Sequence, residues 1–179
     1  MCFANKRLPY FCGLVAIAFA LGVTGCNVPK EDAATVALRE KFVTGAAPES
    51  PMTLTEVAEK LKASAGATES LEVTVVGRIF AGELEPWENG KASFVLSELP
   101  AEGHGAGHDA DNCPFCKRRA AKASTGIVKF VDDKKETISI DARTLFNVTN
   151  DQRVAIHGTA IAGEFGSLVL IASQMYIYK

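Results

Sequence analysis

The spacing of apolar residues changes four times along the chain. From Leu8 to Leu21 almost every position is apolar, interrupted only by small residues, Pro9 and the polar edge of Tyr10. From Asn27 to about Ser50 the composition turns to Ala, Glu, Lys and Pro, with Val36, Leu38 and Phe42 as the only large apolar residues of one weakly amphipathic stretch, 33–42. That pattern predicts a tether with some helical character. Next, Leu54, Val57, Ala58 and Leu61 recur at helical period behind Thr53 and Glu56, whose spacing is that of a capping box. Glu56 and Lys60 add a favourable i,i+4 pair, and Gly66 with its Ser/Thr/Ala neighbours ends the helix.

After Ser70 the period falls to two. Leu71, Val73 and Val75 alternate with polar residues up to Ile79, and Ala92–Leu96 is a second short run beyond the turn-rich Pro86-Trp87-Glu88-Asn89-Gly90. Ile127–Val131 and Thr137–Ile140 read as a further pair joined by Asp132-Asp133-Lys134-Lys135, and Asp141 is placed to cap one helical turn through Leu145 and Phe146. Two more strands, Val154–Ile161 and Leu168–Ile177, follow around a loop with Gly163 and Gly166. Three strands, a short helix and two strands give a mainly β expectation, a small OB-fold-like Greek-key barrel preceded by one short amphipathic helix. The expected divisions are 1–25, 26–50 as tether, 51–70 as helix and linker, and 71–179 as barrel with an insertion at 100–123.

The start of the chain has its own logic. Lys6 and Arg7, the short apolar core and the small residues Val23-Thr24-Gly25 before Cys26 are ordered like a secretory signal. The apolar run falls short of the roughly 20 residues that span a bilayer, so a retained membrane anchor is the weaker alternative. Leu21-Gly22-Val23-Thr24-Gly25-Cys26 resembles the lipobox of bacterial lipoproteins. The resemblance implies cleavage after Gly25 and a diacylglycerol on the Cys26 sulfur, hence a chain held to a membrane in the cell envelope and facing the periplasm or exterior. Asn27 differs from the Asp that follows the lipidated cysteine in inner-membrane lipoproteins of enteric bacteria, which favours the outer membrane.

Removing Lys6 and Arg7 takes the formal charge from −2 to −4, a mildly acidic balance that argues against nucleic acid as a partner. Beyond Cys26 only Cys113 and Cys116 remain, too few for a disulfide framework, so the core must hold by burial.

Residues 72–179 resemble periplasmic OB-fold proteins of bacteria, with a distant likeness to the membrane-anchored haem chaperone of cytochrome c maturation. The likeness rests on Val76-Gly77-Arg78-Ile79, Phe94-Val95-Leu96, Leu145-Phe146, Val154-Ala155-Ile156-His157-Gly158 and the closing strand. That chaperone uses a His and a Tyr of its C-terminal tail; here the tail ends Tyr178-Lys179 with no His beyond His157, so haem carriage does not transfer. The layout, with a loop inserted after the second strand, is also similar to OB-fold lipoproteins of planctomycete-type bacteria, a likeness that brings no activity with it.

Candidate chemistry gathers in the insertion, AEGHGAGHDADNCPFCKRR over 101–119. His104, His108, Cys113 and Cys116 supply the two imidazoles and two thiolates that a borderline-soft cation such as zinc takes in a tetrahedron. Gly105 and Gly107 free the backbone between the histidines, and Lys117, Arg118 and Arg119 offset thiolate charge. Copper(I) or iron satisfy the same donors, and Asp109 or Asp111 could add oxygen to an open site.

Other readings of the same residues stand beside this one: a Cys113–Cys116 disulfide with solvated histidines, or a thiol oxidoreductase or metallochaperone, since Cys-Pro-Phe-Cys resembles the motif of glutaredoxin-like proteins although their βαβ context is missing. Trp87 and His157 are further candidates for a ligand face, each with packing as its plainer role. Asn147-Val148-Thr149 matches a glycosylation acceptor, which has little meaning in a bacterial lipoprotein. No Ser/His/Asp set, phosphate loop or carboxylate pair stands out, so the expectation is a binding module for a protein, peptide or saccharide, not an enzyme; a purely structural envelope protein is the remaining alternative.

Overall fold

The structure is a computed structural model and describes residues 31–64, 70–100, 123–163 and 167–179. Strands β1 (Leu71–Ile79), β2 (Ser93–Ser97), β3 (Thr125–Phe130), β4 (Arg153–Ala162) and β5 (Leu168–Ile177) close into a barrel in the order β1-β2-β3-β5-β4. Every neighbouring pair is antiparallel except β3 with β5. The protein is therefore mainly β, with the five-stranded Greek-key order of the OB-fold.

Alternation drives each strand to one face. Val73, Val75, Ile79, Phe94, Leu96, Val128, Phe130, Val154, Ile156 and Leu170 point inward and are buried. Two glycines permit close approaches. A Cβ on Gly77 would lie 2.7 Å from the Ser97 carbonyl oxygen, and one on Gly158, at a β-bulge against β5, would lie 2.1 Å from the Ile171 carbonyl oxygen.

Among the described residues, three helices close the ends. The registers place the end of β2 and the start of β3 at one end of the barrel, called upper here, and Phe130 at the lower end. Helix α2 (Leu54–Ala63) begins with the expected capping box between Thr53 and Glu56 and buries Leu54 and Val57. It sits over the upper end, where Leu54 reaches Gly126 beside Leu168. Helix α3 (Ala142–Phe146) starts at the Asp141 cap, as expected, and ends at Asn147 in the left-handed conformation. Thr137–Ile140 forms no strand of its own: after the tight turn, in which Asp132 accepts from the Lys134 and Glu136 amides, it makes a Val131–Thr137 bridge, and Ile138 donates its amide to the Phe130 carbonyl and accepts at its own carbonyl from the Ala92 amide before that cap.

Helix α1 (Ala33–Phe42) lies at the lower end. Phe42 is buried there and meets Phe130 and Phe146 edge-on, with ring centroids 5.2 and 6.4 Å away. Arg39 donates to the carbonyls of Leu145 at 2.6 Å and Thr144 at 3.0 Å, satisfying the open C-terminal end of α3. From Val43, which bridges Met175, the chain crosses the outside of β4 and reaches Met52, whose amide and carbonyl bond Thr74 and Val76 of β1. Residues 33–50, part of the 26–50 stretch expected to be a tether with some helical character, are thus packed onto the barrel, with the helix at 33–42. The reason is that buried Phe42, with Leu38, Val43 and Met52 packed beside it, the Arg39 bonds to α3 and backbone pairing at Val43 and Met52 dock the segment, whereas sequence periodicity registers none of these.

Gly158→Ala should destabilise the fold by about 1–3 kcal/mol or more, read as a lowered denaturant midpoint, since its methyl would overlap backbone. The Arg143 guanidinium, with smaller help from the amides of Arg143 and Gly90, holds the Asp141 carboxyl at about 2 against an ordinary 3.8. A depressed folded-state value means stability that is complete above pH ~4 and lost as pH falls towards 2. Asp141→Asn should therefore flatten stability against pH between about 4 and 2, measured by urea unfolding.

Candidate functional site

The predicted metal ligands His104, His108, Cys113 and Cys116, and Cys26 with the signal segment before it, lie outside the described residues. Among the described residues no group of three or more His, Cys, Asp or Glu side chains is placed to hold a metal, and no helix is long and apolar enough to cross a membrane. The structure does define the neck from which the Cys/His excursion leaves the barrel.

That neck is held from three sides. Ser97 and Thr125 are partners in the β2–β3 ladder, and the Glu98 amide donates to the Ser124 carbonyl at 3.0 Å. Thr55, in the first turn of α2, donates its hydroxyl to the Glu98 carboxylate and lies 2.8 Å from the Ser124 hydroxyl. One side chain of the end helix therefore bonds both flanks of the excursion. Sequence reasoning gave no sign of this clamp, because three polar residues far apart in the chain carry no motif. Beside the neck, Phe80, Ala81, Gly82, Val95, Ser97 and Thr125 line a shallow cleft.

His157 lies on the outer face of β4, in a row with Thr74 of β1 and Gln174 of β5. Its Nδ1 is 3.0 Å from the Thr74 hydroxyl and its Nε2 3.4 Å from a Glu72 carboxylate oxygen. The strap formed by residues 44–49 crosses this face and encloses a groove of about 370 Å³ with His157, Gln174, Tyr176 and Ala155 at its base. Imidazole, amide, phenol and the Glu49 carboxylate give the groove hydrogen-bonding capacity in both senses, suited to hydroxyl or amide groups. The groove escaped the sequence because one wall is the strap; the signal that could have found it is the Phe42-Val43 pair ending α1 ahead of Pro48 and Pro51.

Trp87 takes a different position. It is half-buried at the lower rim, edge-on to Phe94 with ring centroids 6.0 Å apart, and the Arg143 guanidinium carbon lies 5.7 Å from its ring centre. The Val95 amide donates to the Pro86 carbonyl at 2.7 Å, so the segment around Trp87 runs as an extra edge along β2. Trp87 and His157 are on separate surfaces, one packed into the rim and one lining the groove.

No protein-family model matches the chain, and no curated protein matches it. Solved structures do match, among them a crystal structure of a protein assigned as an aspartyl-tRNA synthetase from Leishmania major Friedlin, 7% identical with a TM-score of 0.42. The match covers 81% of this chain and 25% of that one, so the chain spans about a quarter of its length. A likeness this distant carries no functional argument, and the fold assignment stands on the strand order of the barrel itself.

Proposed function

We propose that the chain is a lipid-anchored, extracytoplasmic binding module in which residues 1–25 direct export, Cys26 carries the lipid, and His104, His108, Cys113 and Cys116 bind one zinc ion. Its partner on this reading is a protein, peptide or saccharide. The observation that carries the metal reading is the clamped neck: 27 residues, 98–124, leave and rejoin the barrel between two paired strands. Closing a free loop of that length costs about 3 kcal/mol in chain entropy, and the ladder and Thr55 meet that cost before any ion binds. The groove beneath the strap, with His157 at its base, is the second feature of a binding module and suits the hydroxyl or amide groups of a saccharide or peptide.

Metal analysis of the full lipidated chain, purified in detergent without chelator, should give one zinc per chain, with Cys113 and Cys116 resisting alkylation until chelator is added. A metal-free chain with a Cys113–Cys116 disulfide would overturn the zinc reading in favour of the thiol alternatives. Thr55→Val removes both side-chain bonds of Thr55 to the neck and should weaken zinc about three- to tenfold in competition with a chromogenic chelator, the size of one or two hydrogen bonds. Equal affinity would show that the neck does not preorganise the excursion.

A further inference from the structure

The packed position of α1 limits how the domain sits on a membrane. We infer that the α1/α3 end of the barrel lies against the lipid headgroups and that the opposite end, with α2 and the neck of the excursion, faces the aqueous compartment. The inference rests on the proposed lipidation of Cys26 and adds a geometry to it. Only residues 27–32 separate Cys26 from Ala33, where α1 begins. Seven Cα–Cα steps reach at most about 25 Å even when fully extended. The tether of 26–50 suggested by composition would have reached more than three times as far.

The packed unit, Glu31–Lys179, has 149 residues, for which a compact domain has a radius of gyration near 15 Å and a diameter of about 38 Å. A leash shorter than the body it holds restricts which surface can touch the support. With about 17 Å of β3 between the ends and a helix about 10 Å thick on each, the start of α1 would stand about 30 Å above the headgroups if the upper end met them, beyond reach.

The start of α1 belongs to the lower end. Arg39 joins Glu31 to the Thr144 carbonyl of α3, and Lys41 reaches Asp133 in the turn after β3. The neck lies at the far end of β3, about 17 Å away along the strand from Phe130. Charges of both signs are interspersed at the lower end: Arg39, Lys41 and Arg143 each pair with a carboxylate, and the exposed Lys134 and Lys135 of the turn stand beside Asp132, Asp133 and Glu136. Contact with lipid is therefore imposed by the leash and not by attraction to anionic headgroups, and it should not depend on salt. The neck and α2 are left open to soluble partners and to metal in the aqueous phase.

The test uses the full lipidated chain in phosphatidylcholine vesicles carrying a nitroxide on the headgroup. In a Cys113→Ser, Cys116→Ser background, a fluorophore is attached at Lys134→Cys, in the lower turn, or at Glu59→Cys, on the exposed face of α2. Quenching at 134 should be at least about threefold stronger than at 59, given the ~17 Å of strand between the two ends, and should be unchanged by salt. Inserting about twenty Gly/Ser residues between Lys30 and Glu31 should erase the difference. Equal or reversed quenching in a chain that is acylated and floats with the vesicles overturns the orientation alone. A chain without acyl mass at Cys26 overturns the anchor and the orientation together.

Discussion

The barrel depends on closing a seam that its own strands barely close. β1 and β2 pair at only two positions, Arg78 with Ser97 and Ile79 with Leu96. Above that contact the free edge of β1 would expose the amide of Val76 and the carbonyl of Thr74; both are taken up by Met52. Below it, β2 is flanked by the segment at Trp87, and at the lower end of β5 the carbonyl of Met175 accepts from the Thr44 amide. Buried backbone groups left without partners each cost on the order of 1–3 kcal/mol, so these edge patches are part of the fold's closure.

Because the patches at Val43 and Met52 belong to one continuous segment, the helices on either side of it are placed by the same pairing. α1 delivers Phe42 to the aromatic cluster of Phe94, Phe130 and Phe146 at the lower end. α2 delivers Leu54 and Val57 to the upper end and Thr55 to the neck of the Cys/His excursion. The same segment crosses β4 and forms the outer wall of the groove over His157. Closure of the barrel, the position of the neck and the shape of the groove share one physical cause.

The parts of this arrangement that were legible in the sequence are those with a local signature. Thr53 with Glu56, and Asp141 before Leu145-Phe146, declare their helix starts by side-chain chemistry within a few residues, and the period-two runs declare the strands. The helical character of 33–42 was legible, but the docking of 33–52 was not, because it rests on a few apolar side chains, on Arg39 reaching carbonyls of α3, and on backbone pairing, which any residue can supply. Thr137–Ile140 misled for the opposite reason: its alternation is strand-like, but the turn before it and the cap after it confine its pairing to the Val131–Thr137 bridge and the bonds of Ile138 to Phe130 and Ala92. Of the site, His157 was legible as a strand residue but its groove was not, since Thr74, Gln174, Tyr176 and Glu49 meet only after folding.

The central claim, that residues 33–52 are structural members of the barrel, is tested most directly by amide hydrogen exchange on the purified protein. The amides of Thr44 and Met52, which donate to Met175 and Thr74, should exchange as slowly as that of Val75 in the middle of β1. Exchange at both at the rate of an unstructured chain, with the strands still protected, would contradict the account.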